Sequence, residues 1–199
     1  LGGNSGFGYE ILKAFSSYNN NLYIVGRNAN KLNKSKKFIY DNYGKKEIIT
    51  IKSNLKNEID VKNLFKTIKK NHINHFDIII NCIGINKRNA IDKLNYKDWL
   101  EVINTNLNIS FLIAKYSLEF LKKSKKPRLI NFTSIFSSVS FEDRTPYSSS
   151  KGGLLMLTKT LALEWAKFNI TVNSISPGPF LTELNLPVLT WPSLPIEVK

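Results

Sequence analysis

Tyr147 and Lys151 stand four residues apart at the head of a helical pattern, so a phenol and an ammonium share one face and can act on the same atom. A phenol titrates near pH 10, about three units above neutrality. A cation held beside it favours the phenolate and brings that value down. The pair therefore predicts a centre that gives a proton to an oxygen atom, or takes one from it, near neutral pH. The same spacing also describes an ordinary solvated helix face, so the surrounding elements must supply the rest of a site.

Residues 1–8, Leu1-Gly2-Gly3-Asn4-Ser5-Gly6-Phe7-Gly8, form a glycine-rich turn that runs into a helical pattern carrying Ile11, Leu12, Ala14 and Phe15. Such a turn lets backbone amides approach a pyrophosphate at a helix amino terminus, where the dipole also favours negative charge. Apolar or β-branched runs predict strands over 22–25, 48–52, 77–81, 128–133 and 170–175. Helical spacing predicts helices over 30–43, 58–71, 96–122 and 146–168. The helix over 58–71 carries Ile59, Val61, Leu64, Phe65 and Ile68, and the last has Leu154, Leu155, Leu157, Leu161 and Leu163 as its apolar side. This alternation predicts an α/β fold with a doubly wound parallel sheet, in one domain spanning 1–199. Ligands of such sheets bind at the carboxyl ends of the strands. Gly2 to Gly8, Arg27, Asn54, Asn81 to Gly84, Ser134 and Pro177-Gly178 all fall at those ends.

The 199 residues, 42% hydrophobic, suffice for the core of one domain. The formal charge of +14 would suit nucleic acid. However, the cations lie on polar helix faces (Lys34, Lys36, Lys37) or at a helix end (Lys122, Lys123, Lys125, Lys126), a distribution that predicts no nucleic-acid partner. The positive field would still attract a polyanionic cofactor or an acidic substrate. With no apolar run of membrane-spanning length, no leader pattern and one cysteine, Cys82, the expectation is a cytoplasmic protein without disulfides or membrane contact. His72 and His75 lack a cysteine or acidic partner at ligand spacing, and no metal is expected. Cys82, without an adjacent cation or histidine, reads as an inert thiol, and Trp165 as a packing residue.

Taken in order along the chain, these residues resemble the short-chain dehydrogenase/reductase family. The family's glycine motif matches at Gly2, Gly6 and Gly8, with Leu1 in place of a threonine. Its Asn-Asn-Ala-Gly strand end matches as Asn81-Cys82-Ile83-Gly84. Ser134 stands thirteen positions before Tyr147, and Asn106 is in Asn104-Thr105-Asn106-Leu107. The resemblance implies catalysis by Asn106, Ser134, Tyr147 and Lys151: Tyr147 donates the proton, Lys151 holds the nicotinamide ribose and acidifies the phenol, Ser134 bonds the developing alkoxide, and Asn106 anchors a water relay. It also implies that the cofactor is held by Gly2, Asn4, Ser5, Gly6, Phe7, Gly8, Arg27, Asn54, Leu55, Asn81, Gly84, Tyr147, Lys151, Pro177, Gly178, Phe180 and Thr182. Arg27 follows Gly26 where NAD-preferring members carry an acid, which predicts NADP, with NAD as the alternative.

The segments Ile85-Asn86-Lys87-Arg88, Leu163-Glu164-Trp165-Ala166 and 177–182 resemble the gluconate 5-dehydrogenase branch, implying a sugar acid or polyol as substrate; Arg88 and Arg144 are candidates to meet a carboxylate. The branch of 3-oxoacyl-acyl-carrier-protein reductases is the alternative. A fold that has lost turnover and serves as a scaffold is a third reading, to which Leu1, Cys82 and Ile83, as departures near the cofactor, would point. Family members have about 250 residues, so a fragment is expected, lacking the central first strand and the carboxyl-terminal helix and strand. The resemblance further implies a homotetramer built on the helices over 95–122 and 146–168, with Leu118 or Phe120 at the interface.

Overall fold

The computed structural model describes residues 1–18, 20–44 and 48–180. Three helices begin at an asparagine whose side chain satisfies one of their first amides. Asn28 opens α2 (Ala29–Tyr43), its Oδ1 accepting from Lys31 N at 3.0 Å. Asn57 does the same for α3 (Glu58–Lys70) through Asp60 N at 3.0 Å, and Asn95 for α4 (Tyr96–Ile103) through Asp98 N at 2.8 Å. In α3, Glu58 and Asp60 lie in the first turn and Lys69 and Lys70 in the last, a distribution suited to the helix dipole. α1 (Gly6–Ser16) is different: Ser5 makes no side-chain cap bond there.

The single helix expected over 96–122 is instead three pieces. α4 passes into a π-helical turn, Asn104–Asn108, and then into α5 (Ile109–Leu121). α6 (Thr145–Trp165) starts with Pro146 in its first turn, where a missing N–H costs nothing. It ends in a short 3-10 turn closed by Asn169 in the left-handed conformation (φ 57°).

The strands are all parallel. β1 (Leu22–Gly26) pairs with β2 (Ile48–Lys52), Leu22 opposite Ile48. β3 (Ile78–Asn81), β4 (Arg128–Phe132) and β5 (Thr171–Ile175) form a second sheet in that order. With helices joining the successive strands, this is the expected doubly wound α/β arrangement. Leu12, Ile24, Leu32, Ile39 and Ile48 form one buried cluster; Val61, Leu64, Ile109, Ile113, Leu121 and Leu129 are at the centre of the other.

The two sheets face each other across a slot of about 720 Å³ between β1 and β3. Leu1 and Gly2 bridge its upper end. Leu1 N donates to Ile80 O at 2.8 Å and Cys82 N to Leu1 O at 3.1 Å, while Gly2 N donates to Val25 O at 2.9 Å. At that level β1 and β3 are thus separated by one intervening strand, about 9–10 Å. Among the described residues no strand fills that slot.

Three expectations are corrected by packing. Leu163 is 82% exposed and Ile59 67% exposed, so neither belongs to its helix's apolar side. Phe120 is 2% exposed and packs against Phe65 and Phe76, in the core and not at an interface. Trp165 is buried as expected. Among the described residues no helix is long and apolar enough to cross a membrane.

Candidate active site

The carboxyl ends of the strands open onto one cleft of about 610 Å³. The glycine turn forms its floor. Gly2 has φ 72° and Gly6 φ 50°, conformations that favour glycine. A methyl group at Gly8 would fall 2.2 Å from the Gly2 carbonyl oxygen, so only glycine lets the turn close on α1. With no side-chain cap from Ser5 and no acidic residue in the first turn, the leading amides of α1 are left for an anion. Phe7 fixes the turn from below, its ring 5.4 Å from Phe132 and 5.2 Å from Phe180.

Arg27 follows β1 at the far side of the cleft, with Asn54 and Leu55 after β2 lining the same end. A Cβ at Gly26 would meet the Asn4 side chain at 2.9 Å, so the place of a family acid is covered by an amide. Pro177 and Gly178 line the opposite wall. The Pro177 carbonyl accepts from Ile135 N at 3.1 Å, tying that wall to the Ser134 loop.

Lys151 is 3% exposed and donates from Nζ to the Phe132 carbonyl at 2.6 Å. Burial lowers its pKa to about 8, the nearby Cys82 partly opposing the shift. Gly84 lies beside both groups: a methyl group there would stand in ordinary contact, 3.4 Å from that Nζ and 3.6 Å from Asn106 Oδ1. The π-helical turn aims Asn106 inward. Its Oδ1 accepts from Ile85 N at 2.9 Å, and its Nδ2 donates to Ile85 O at 3.0 Å and to Ser150 Oγ at 2.9 Å. Ser150 Oγ donates in turn to the Tyr147 carbonyl at 2.7 Å, so one hydroxyl couples Asn106 to the helix carrying Tyr147 and Lys151.

Ser134 sits after β4, its Oγ accepting from Phe136 N at 3.2 Å while Ser137 Oγ accepts from Ser134 N at 3.2 Å. That reciprocal pair holds its hydroxyl beside Tyr147. The phenol's pKa is raised by burial; hydrogen bonding to Ser134 and the charges of Arg144 and Arg88 pull it the other way. The Lys151 ammonium lies over the Tyr147 ring, 5.8 Å from its centre, and is bonded to the Phe132 carbonyl.

The short chain dehydrogenase sequence model matches residues 1–192. The chain belongs to the short-chain dehydrogenase family. Over 187 residues it is 30% identical to 2-dehydro-3-deoxy-D-gluconate 5-dehydrogenase of Formosa agariphila, covering 94% of this chain and 70% of that protein. Over 183 residues it is 29% identical to 3-oxoacyl-[acyl-carrier-protein] reductase of Aquifex aeolicus, covering 92% and 73% respectively. Among solved structures, an Agrobacterium tumefaciens protein described provisionally as a gluconate dehydrogenase superposes with a TM-score of 0.89 at 26% identity, covering 96% of this chain and 74% of that one.

In this short-chain dehydrogenase, two residues expected to touch the cofactor are placed elsewhere. Asn81 is 1% exposed and points beneath the cleft, donating to Ser110 Oγ at 2.8 Å and Asn131 Oδ1 at 3.3 Å and accepting from Ile83 N at 3.2 Å. Phe180 packs edge-on against Phe7. Thr182 lies outside the described residues. The buried chain continues from Asn131 to Thr158 Oγ1 at 3.0 Å, and from Ser110 Oγ to the Asn106 carbonyl at 2.8 Å, linking α5 to α6 through β3 and β4. Sequence reasoning passed over Ser110, Asn131, Ser150 and Thr158, hydroxyls and an amide with no distinguishing spacing. Burial pushes the Cys82 thiol up to about 11, with the nearby Lys151 charge partly opposing the shift. Among the described residues no cluster of His, Cys, Asp or Glu can hold a metal, and His75 lies 3.8 Å from Asp77.

Proposed function

We propose that this oxidoreductase reduces a carbonyl to a secondary alcohol, or runs the reverse reaction, with NADP as its preferred cofactor. The observation that carries the reading is the convergence of Tyr147, Ser134 and Lys151 on a cleft that the glycine turn also lines, with Asn106 buried behind them and bonded to Ile85 and Ser150. The residues fit a dinucleotide. The open amides of α1 would hold the pyrophosphate, Arg27 the adenosine end, and Lys151 the ribose next to the nicotinamide. When bound, the nicotinamide supplies or accepts the hydride.

This chain's own residues then handle the charge and the proton. Ser134 Oγ donates to the carbonyl oxygen and stabilises the developing alkoxide. Tyr147, kept protonated at neutral pH by burial, gives its proton to that oxygen in reduction. For oxidation the phenolate is the base, favoured by Ser134, Arg144 and Arg88. Lys151 supplies a buried cation beside the reacting groups, and Asn106 fixes the Ile85 segment and α6 relative to one another.

The preference for NADP is supported by Arg27 and by the Asn4 amide that occupies the position of an acid at Gly26. A guanidinium pairs with a phosphate through two parallel bonds. Arg27→Gln should lower kcat/KM for NADPH by about 10–100-fold and change that for NADH far less. Equal or better use of NADH by the unaltered full-length protein would refute the preference.

A sugar acid or polyol is the substrate class supported by the Formosa relative. The second reading, reduction of a 3-oxoacyl thioester on an acidic carrier, is supported by the Aquifex relative and by the +14 charge. Turnover of a keto-gluconate against an acetoacetyl thioester separates the two. A non-catalytic scaffold is disfavoured, because all four proton-handling residues are present and the cleft remains open beside Ile83. The reading is of a single cytoplasmic domain that assembles as a tetramer through α4 to α6, where Leu100, Phe111, Met156 and Leu163 are exposed; sedimentation at monomer mass would refute the assembly.

A further inference from the structure

Two cations face the Tyr147 phenol from different elements, Arg88 from the segment after β3 and Arg144 from the residue before α6. Arg144 is only 8% exposed, yet lines the cleft, its guanidinium 5.2 Å from the centre of the Phe136 ring. Arg88 is half-buried on the same cleft. Burial lowers the pKa of both, and the charge of Arg144 lowers that of Arg88 further. Asp143 is near enough to favour the charge of Arg144, but among the described residues neither guanidinium makes an ion pair or a side-chain hydrogen bond. Two like charges in a partly dry cleft, with their donors unused, are unfavourable until an anion joins them.

A third group completes the pattern. Asn86 Oδ1 is buried without a hydrogen-bond partner, in the same cleft. Its neighbour Ile85 is bonded through both N and O to Asn106, which anchors the backbone that carries Asn86. A buried acceptor of this kind awaits a donor.

We propose that Arg88, Arg144 and Asn86 form a subsite for a small hydroxy acid, the arginines taking its carboxylate and Asn86 Oδ1 accepting from a hydroxyl, so that its carbonyl meets Tyr147. This rests on the hydride-transfer reading and narrows its substrate from sugar acid or polyol to the acid. A planar carboxylate matches the guanidinium fork, and an uncharged polyol would leave two cations unpaired.

The test uses the full-length protein with NADPH and three ketones: 5-keto-D-gluconate, the uncharged keto sugar L-sorbose, and levulinate, which has the carboxylate but no hydroxyl. The unaltered protein should prefer 5-keto-D-gluconate to L-sorbose by about 100-fold or more in kcat/KM. Arg144→Gln or Arg88→Gln should cut that ratio about tenfold or more. Asn86→Ala should cut the preference for 5-keto-D-gluconate over levulinate by about tenfold. Similar use of acid and neutral ketones by the unaltered protein, or ratios unmoved in all three variants, would overturn the subsite. D-gluconate binding, measured by calorimetry without turnover, keeps the two proposals apart. If no ketone is reduced but D-gluconate binds and Arg144→Gln weakens it, hydride transfer fails and the subsite stands; if D-gluconate does not bind, the subsite fails.

Discussion

Tyr147→Phe in the full-length protein should reduce carbonyl turnover by about 10²–10⁴-fold while leaving nucleotide affinity within about threefold. The substitution deletes one hydroxyl and keeps the ring, so the edge-on contact with Phe136, at 6.4 Å between centres, survives. What is lost is the proton donor beside the Ser134 hydroxyl. The direction of the phenol's shift fixes the pH behaviour. Because burial holds the pKa of Tyr147 up, the phenol is protonated across neutral pH; reduction should be insensitive to this group there and fall only as the pH climbs through its pKa. Oxidation of the alcohol needs the phenolate, so its rate should rise with pH over the same range. Both limbs should vanish in Tyr147→Phe. A variant that keeps its rate, or keeps the alkaline rise in oxidation, would remove Tyr147 from the chemistry.

Lys151→Met should make the cofactor-free protein more stable and about 10²–10³-fold less active. The ammonium is 3% exposed, and its pKa is lowered from 10.5 to about 8, chiefly by burial. Below pH 8 the lysine is charged both folded and unfolded, and the folded state bears the full burial penalty, on the order of 3 kcal/mol. Between pH 8 and 10.5 the folded protein binds fewer protons than the unfolded chain, so this group's penalty shrinks as the pH rises. Methionine removes the penalty but leaves the Phe132 carbonyl without its donor, which returns about 1 kcal/mol. A net gain of about 1–3 kcal/mol is therefore expected at pH 7, fading toward pH 10. Denaturant melts at pH 7 and pH 10 read it directly. A destabilised variant, or a gain independent of pH, would mean that the buried lysine costs the fold nothing.

Both residues were legible because their spacing is local: four positions on a helix face guarantee proximity whatever the fold. The glycine turn was legible for the same reason, and the structure confirms it through the left-handed Gly2 and Gly6 and the tight approach at Gly8. The alternation of strands and helices came through because β1, β2 and β3 are largely apolar or β-branched runs and α3 between them carries an apolar stripe. The π-helical turn did not, since one extra residue within 96–122 leaves the apolar pattern readable as one helix. Nor did the electrostatics of Tyr147. Which cation faces the phenol depends on where the residue before α6 and the segment after β3 fold over it, and no spacing encodes that. Asn81 looked like a cofactor contact because it ends a strand, but its side chain is consumed by Ser110, Asn131 and Ile83 beneath the cleft. Leu163 looked buried from periodicity alone and lies outside.

Hydride delivery within this cleft is tested most directly by the fate of the label. The full-length protein is mixed with NADPH deuterated at the transferable position and with a ketone it consumes, and the alcohol is examined by mass spectrometry. One deuterium on the carbinol carbon, at a rate that collapses in Tyr147→Phe, is the predicted result. Bound NADPH that stays unoxidised across a panel of acidic, neutral and thioester ketones would contradict it.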